Sequence, residues 1–341
     1  MKRWQTSSME KKPHNVRLLA LLAVLVLLSA LASLCFGAVS IAPGDVVRAL
    51  LGGGGGTAAG RIVLFSRLPR TCGSLLAGAA LAVSGAVIQG VLNNPLAAPN
   101  IIGVNSGAGL AAALCCAMAP TAVAAVPFAA FLGALAGVLL VLFIAERTGA
   151  ARITLVLAGV AVSSMFSAGI DAVVTFVPDA LNGYSDFRIG GVAGLSMSRI
   201  APAFWVILIA LALAFSLAGE LDILLLGTET ARSLGLPAKS LRLVLLALAA
   251  ALAGAAVSFA GLLGFVGLVV PHIMRRLLGE ESLPLLAGSA LGGAALLTTC
   301  DLLARILFAP YELPVGIVLA LAGGPFFIWL LLRQRGGRTH D

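Results

Sequence analysis

TCGSLLAGAALAVSGAVIQGVLNNPLAAPN, from Thr71 to Asn100, opens a run of 75 residues ending at Ala145 that contains no Asp, Glu, Lys or Arg. Its only polar interruption is the knot from Asn93-Asn94-Pro95 to Pro99-Asn100. A helix that crosses the hydrocarbon core takes about 20 apolar residues at a rise of about 1.5 Å each. The run is too long for one such element and holds about three. The chain therefore reads as polytopic, with its working parts inside a membrane.

Composition agrees. Hydrophobic residues make up 60% of the 341 and charged ones 11%, against about 25% charged in soluble domains. Lipid offers no water to backbone N–H and C=O groups, so the spans are helices or a closed barrel. Long Leu, Ala, Val and Gly runs without strict alternation point to helices. The formal charge of +8 fits basic cytoplasmic loops. It does not indicate nucleic acid, because no basic stripe with interleaved aromatics is present. Cys35, Cys72, Cys115, Cys116 and Cys300 lie in or beside apolar segments. Their number is odd and their spacing matches no metal site, so they read as small buried residues, with no metal or cofactor expected. The apolar stretch after Arg17 exceeds a signal-peptide core and reads as a retained first span.

Ten apolar runs follow, at about 18–38, 71–92, 104–124, 127–145, 153–172, 200–219, 242–262, 264–279, 283–302 and 313–333. The eighth is short: the charge-free run 243–274 resolves into one full helix and one broken by Gly264, Gly267 and Pro271, whose Pro271-His272 end emerges beside Arg275 and Arg276. Basic residues set the orientation. With the N-terminus inside, fifteen Lys and Arg fall on cytoplasmic segments and seven, all Arg, on outer ones: Arg48, Arg61, Arg67, Arg70, Arg188, Arg199 and Arg305. The expected layout is a cytoplasmic tail at 1–17, one ten-helix domain at 18–333 with a cytoplasmic segment at 219–242, and a cytoplasmic tail at 334–341.

A shift of 176 residues lays Leu76–Gly103 on Leu252–Gly279, and nine of 28 positions agree. They include Gly78 on Gly254, Gly85 on Gly261, Pro95 on Pro271 and Gly103 on Gly279. The copies begin five spans apart and so enter the membrane from opposite sides. This is the pattern of an inverted repeat, spans 2–5 against spans 7–10, with helix breaks near a transport pathway. The expected fold is an all-α polytopic membrane protein of about ten helices. Gly78, Gly85, Gly254 and Gly261 are candidate packing positions where backbones approach closely, and Pro95, Pro99, Gly264, Gly267 and Pro271 candidate breaks.

No carboxylate or His sits at a span centre to serve as an ion relay, which disfavours an ion-coupled carrier. No paired carboxylates share a span, which disfavours an intramembrane enzyme. The glycine run Gly52–Gly56 lacks the Lys-Ser/Thr of a phosphate loop, so the chain is not expected to hydrolyse ATP itself. Energy would enter through the segment Gly227-Thr228-Glu229-Thr230-Ala231-Arg232-Ser233-Leu234-Gly235. It reads as a short helix with Thr228 as N-cap and Gly235 as stop, suited to a groove on a soluble partner.

Several motifs in fixed order carry a resemblance. They are Arg67-Leu68-Pro69-Arg70, Gly78 to Gly85 continuing to Asn94-Pro95-Leu96-Ala97-Ala98-Pro99, Leu157 to Ala161, Leu226 to Gly235, Gly264 to His272, and Glu312-Leu313-Pro314-Val315-Gly316. In these the chain resembles the permease subunits of type II ABC importers that take up ferric siderophores, haem and cobalamin. The resemblance implies ten helices with both termini in the cytoplasm of a bacterial cell and a pair of permeases, identical or paralogous. It also implies two ATP-binding cassette ATPase subunits and a substrate-binding protein outside the membrane. It implies docking of that protein by Arg67, Arg70 and Arg305, whose planar forks suit carboxylates. It further implies ATPase coupling through Gly227, Thr228, Glu229, Ala231, Arg232, Leu234 and Gly235, and a pathway lined by the fifth and tenth spans. Thr148, Gly149, Ala150 and Ala151 would stand at its cytoplasmic gate. A ferric siderophore is the expected cargo, with haem or cobalamin as alternatives.

Overall fold

The computed structural model describes residues 2–53, 56–148 and 152–335, so Gly149, Ala150 and Ala151 lie outside the described residues. Fifteen α-helices and no strands are found among them. They are α1 (Lys2–Cys35), α2 (Pro43–Leu50), α3 (Ala58–Ile62), α4 (Leu68–Leu92), α5 (Val104–Met118), α6 (Val126–Arg147), α7 (Arg152–Phe176) and α8 (Ala180–Ile189). They continue as α9 (Met197–Ser216), α10 (Ala218–Leu225), α11 (Thr228–Ser233), α12 (Ala238–Ala260), α13 (Val266–Leu278), α14 (Ser282–Ile306) and α15 (Val315–Arg335). A π-helical turn, Val63–Arg67, joins α3 to α4. Each of the ten apolar runs becomes a helix. Among the described residues seven stretches are long and apolar enough to cross a membrane, while Val104–Met118 and Val315–Ile328 are shorter apolar helices. With 13 residues, α13 spans only about 20 Å.

The inverted repeat is visible in the packing. Side chains of α4 meet α12 in antiparallel order: Gly73 lies beside Phe259, and the Ser84 hydroxyl donates to the Ala249 carbonyl at 2.6 Å. The first helices of the two halves thus run in opposite directions. Each reaches across to the other half, α4 to α14 and α12 to α6, while α5 and α13 pack beside α6 and α14 respectively. Around α4 this burial is nearly complete, with Ala77, Ala80, Ala82, Val83, Val87 and Ile88 inaccessible.

Small residues make these approaches possible. A methyl group built at Gly78 would fall on the carbonyl of Gly293 in α14, and one at Gly85 on the carbonyl of Gly267 in α13. Gly107 in α5 and Gly133 in α6 oppose each other's carbonyls in the same way. Lipid tails are as apolar as side chains, so helices in a bilayer associate through such backbone contact rather than through water exclusion.

The structure moves the break in the second half. Pro271 lies inside α13, and the interruption falls earlier, from Gly261 at φ +70° to Phe265 at φ +66°. The counterpart of the knot at Asn93–Asn100 is therefore the segment 261–265, and the matches Pro95/Pro271 and Gly103/Gly279 do not survive. Gly103 caps the start of α5 whereas Gly279 ends α13. The gapless shift failed because α12 ends sooner than α4 does. Phe265 holds a left-handed backbone that bulky residues avoid, and its ring packs on Gly323 of α15, a glycine that leaves room for it. His272, expected at a helix end, is instead buried in mid-helix. Helix α1 runs without a break from Lys2 to Cys35, so residues 2–17 ahead of the first apolar run are helical too.

Gly78→Val and Gly85→Val should each cost at least about 1–3 kcal/mol through overpacking, read as a fall in thermal unfolding temperature in detergent. Gly219→Ala, with no atom within 4 Å of the added carbon, should leave that temperature unchanged or raise it.

Candidate functional site

At one end of the bundle the three arginines singled out in the sequence come together, but inside it. Arg67, Arg70 and Arg305 are 5%, 7% and 3% exposed, and Asp301 between them is fully buried. The Arg70 Nε donates to both carboxylate oxygens of Asp301 at 3.0 Å, and its Nη1 donates to Glu312 Oε2 at 2.6 Å. The Arg305 Nη2 lies 3.2 Å from Asp301 Oδ2 and donates to the Ser33 hydroxyl at 2.7 Å. The Arg67 Nη1 donates to the carbonyls of Leu34 and Cys35 at 2.7 Å, and its Nη2 to that of Val39.

The helices explain the convergence. The last carbonyls of α1 have no intrahelical donors and mark the negative end of its dipole. Arg67 and Arg305 supply donors and positive charge there. Asp301, one turn before Arg305 on α14, holds Arg305 and Arg70 together, and α4 crosses α14 so that Arg70, Ser74 and Gly78 meet Asp301, Thr298 and Gly293 in turn. The donors of all three arginines are engaged within the protein, on α1, α14 and the segment before α15. The exposed edge of the cluster is Glu312, whose side chain is 40% exposed.

At the opposite end lies the short helix α11. Gly227 at φ +110° leads into it and Gly235 at φ +82° ends it. Thr228 is not its cap: Gly227 occupies that place, and the Thr228 hydroxyl accepts from Arg242 Nη2 at 3.1 Å. Ala231 is fully buried and seats the helix, leaving Glu229, Arg232 and Leu234 facing outward. Two contacts that the sequence did not suggest bind this end to the bundle. Asp222 of α10 accepts the Ser282 N–H at 2.8 Å and so caps the start of α14. Lys239 Nζ reaches Glu146 Oε1 at 2.6 Å, joining the start of α12 to the end of α6 beside Thr148. Thr148 itself ends α6, its hydroxyl donating to the Ile144 carbonyl at 2.8 Å.

Between the two ends, α7 is the least enclosed of the long apolar helices. Ser164, Ser167 and Asp171 are exposed at spacings of three and four, which places them on one face. With Asn100, Ser163 and Val160 they line a cavity of about 570 Å³. A polar face on a membrane helix avoids lipid and meets water or another protein surface. No group of three or more metal-ligating side chains is found among the described residues.

Asp301→Asn would leave two buried arginines short of a counter-charge and should cost about 3–5 kcal/mol. Glu312→Gln, at the exposed edge, should cost no more than about 1 kcal/mol. Thermal unfolding of the two purified variants checks both the order and the gap.

Comparison with known proteins gives the same architecture. The chain is 39% identical over 330 residues to the hemin transport system permease protein HmuU of Yersinia pestis, covering 94% of this chain and 97% of that protein. It is 37% identical over 328 residues to the Fe(3+)-citrate import system permease protein YfmE of Bacillus subtilis, covering 96% and 97%. To the vitamin B12 import system permease protein BtuC of Citrobacter koseri it is 37% identical over 342 residues, covering 98% and 100%. A solved chain of an ABC transporter described as of the metal-chelate type, in an inward-facing conformation, superposes with a TM-score of 0.83 at 28% identity. That match covers 93% of this chain and 99% of the solved one. The model of the FecCD transport family matches residues 23–333, and the chain belongs to that family.

Proposed function

We propose that this chain is the membrane half of an ATP-driven importer that passes a ferric siderophore from a substrate-binding protein to the cytoplasm. That it is a permease of the type II ABC importer group follows from its family. The carrying observation for the mechanism is the pairing of a rigid, charge-locked end with an outward-facing short helix at the other. The permease supplies the path, and a partner ATPase supplies the energy. Glu229, Arg232 and Leu234 would sit in a groove of that ATPase, Ala231 fixing the helix to the bundle. Its displacement would pass to the pathway through the Lys239–Glu146 pair, which ends beside Thr148, the first residue of the expected gate. Two ATPase copies and a second permease, of this chain or a paralogue, complete the assembly in the bacterial cytoplasmic membrane, both termini facing the cytoplasm.

Docking falls on the arginine end. Arg70 meets the rim through Glu312, and a carboxylate of the binding protein would take the place of Glu312 at the Arg70 fork. Arg67 and Arg305 hold that fork in position by anchoring α1. The cargo reading rests on the α7 face: hydroxyls and one carboxylate suit a chelate rich in hydrogen-bonding groups better than a flat apolar macrocycle. Ferric-citrate and hydroxamate permeases stand among the relatives beside those for hemin and vitamin B12. Haem and cobalamin are the alternatives to be tested.

Uptake of radiolabelled iron as hydroxamate or citrate chelates, by cells whose own permeases are deleted, tests the cargo. Accumulation of haem or cobalamin in place of both chelates would overturn it. Glu312→Gln should tighten binding-protein affinity by several-fold, since it frees one edge of the Arg70 fork; weaker binding would reject the exchange. Reversing both charges, with Glu229→Lys and Arg232→Glu, should leave the permease folded and lower substrate-stimulated ATP hydrolysis at least tenfold.

A further inference from the structure

On the side of the bundle formed by α6, α9 and α12 lies a cavity of about 470 Å³. Its walls are Pro127, Phe128 and Phe131 from α6 and Pro202, Ala203 and Val206 from α9, with Ala255 and Ser258 of α12 as floor. The floor is dry in chemical terms: the Ser258 hydroxyl is already committed to the Ala255 carbonyl at 2.8 Å. Phe128 is 67% exposed and so borders the opening. No residue of α7 contributes, so the cavity is separate from the polar face assigned to the pathway.

One charge lines this cavity, Arg199, in the first turn of α9. It is exposed and no carboxylate lines the cavity with it. Its place at the start of an apolar helix puts the guanidinium at the level of lipid headgroups, and the groove then runs from Arg199 to Val206, about 10 Å into the hydrocarbon region. Trp205, 62% exposed on the same helix and edge-on to Phe204 at 5.2 Å, adds an amphipathic ring to this outer stretch. An apolar groove of this length suits an acyl chain, and the unopposed cation at its end suits a phosphate.

We propose that this groove is a binding site for one anionic phospholipid per permease. An acyl chain lies between α6 and α9, and the headgroup phosphate pairs with Arg199. The proposal does not depend on which cargo the importer carries. An occupied groove fills the gap between α6 and α9 that the bundle's own side chains leave.

The test uses the full-length permease in its complex with the ATPase, delipidated in detergent and titrated with phosphatidylglycerol or phosphatidylethanolamine, with bound lipid counted by native mass spectrometry. One phosphatidylglycerol per permease should be retained, with a preference of about fivefold over phosphatidylethanolamine, as one basic residue near a headgroup provides. Arg199→Gln, a surface change, should remove the preference, and Arg199→Lys should keep most of it. Val206→Phe, which narrows the slot, should lower retention of both lipids while thermal unfolding shows the complex still folded. Equal retention of the two lipids by the unmodified protein, or an Arg199→Gln variant that keeps the preference, would overturn the proposal. So would cross-linking from position 128 to a second permease or another polypeptide instead of to lipid.

Discussion

The structure depends on how closely α4 approaches its neighbours. In water, exclusion of apolar surface would drive these helices together; in lipid that drive is absent, and contact between backbones replaces it. Gly78 against Gly293 and Gly85 against Gly267 set α4 directly on α14 and α13. With the spacing of those axes set, Ser84 reaches the Ala249 carbonyl and Gln89 lies 3.5 Å from the Gly267 carbonyl. The two halves of the inverted repeat are thereby interlocked rather than side by side. Each first helix is held mainly by the half to which it does not belong.

The same crossing creates the charged end. Arg70 and Asp301 are 231 positions apart and meet only because α4 runs antiparallel to α14 at glycine distance. A buried ion pair is weak evidence for stability in itself, because desolvating two charges is expensive. Here the arginines have a second task, donating to the buried carbonyls of Ser33, Leu34 and Cys35 at the end of α1. One carboxylate, Asp301, serves two arginines, and Glu312 brings in the segment before α15. The result is a charge-paired end of the bundle whose exposed edge is Glu312. At the other end, by contrast, α11 is seated mainly through Ala231 and presents Glu229 and Arg232 outward.

Hydropathy, a local property, was legible throughout. Ten apolar runs became ten helices, and the glycines at 227 and 235 bounded α11 as their freedom to adopt positive φ requires. What went astray involved relations between segments. The repeat was aligned by identity through Pro95 and Pro271, although one is in a loop and the other in a helix, because a gapless shift cannot register that α12 ends early. Thr228 looked like a cap by residue type, yet its hydroxyl was taken by Arg242 from the following helix.

The sequence by itself determined that this chain is a helical, polytopic membrane protein, that it has ten apolar helices, and roughly where each stops. These follow from apolar length and from the backbone limits of glycine and proline, which act within a few residues. Only the tertiary structure decided that Arg67, Arg70 and Arg305 turn inward, that Asp301 and Glu312 are their counter-charges, that Asp222 caps α14, and that Lys239 meets Glu146. Whether an arginine is a docking fork or an internal tie depends on which carbonyls and carboxylates lie within about 3 Å of it. That depends on helix crossings made possible by glycines elsewhere in the chain.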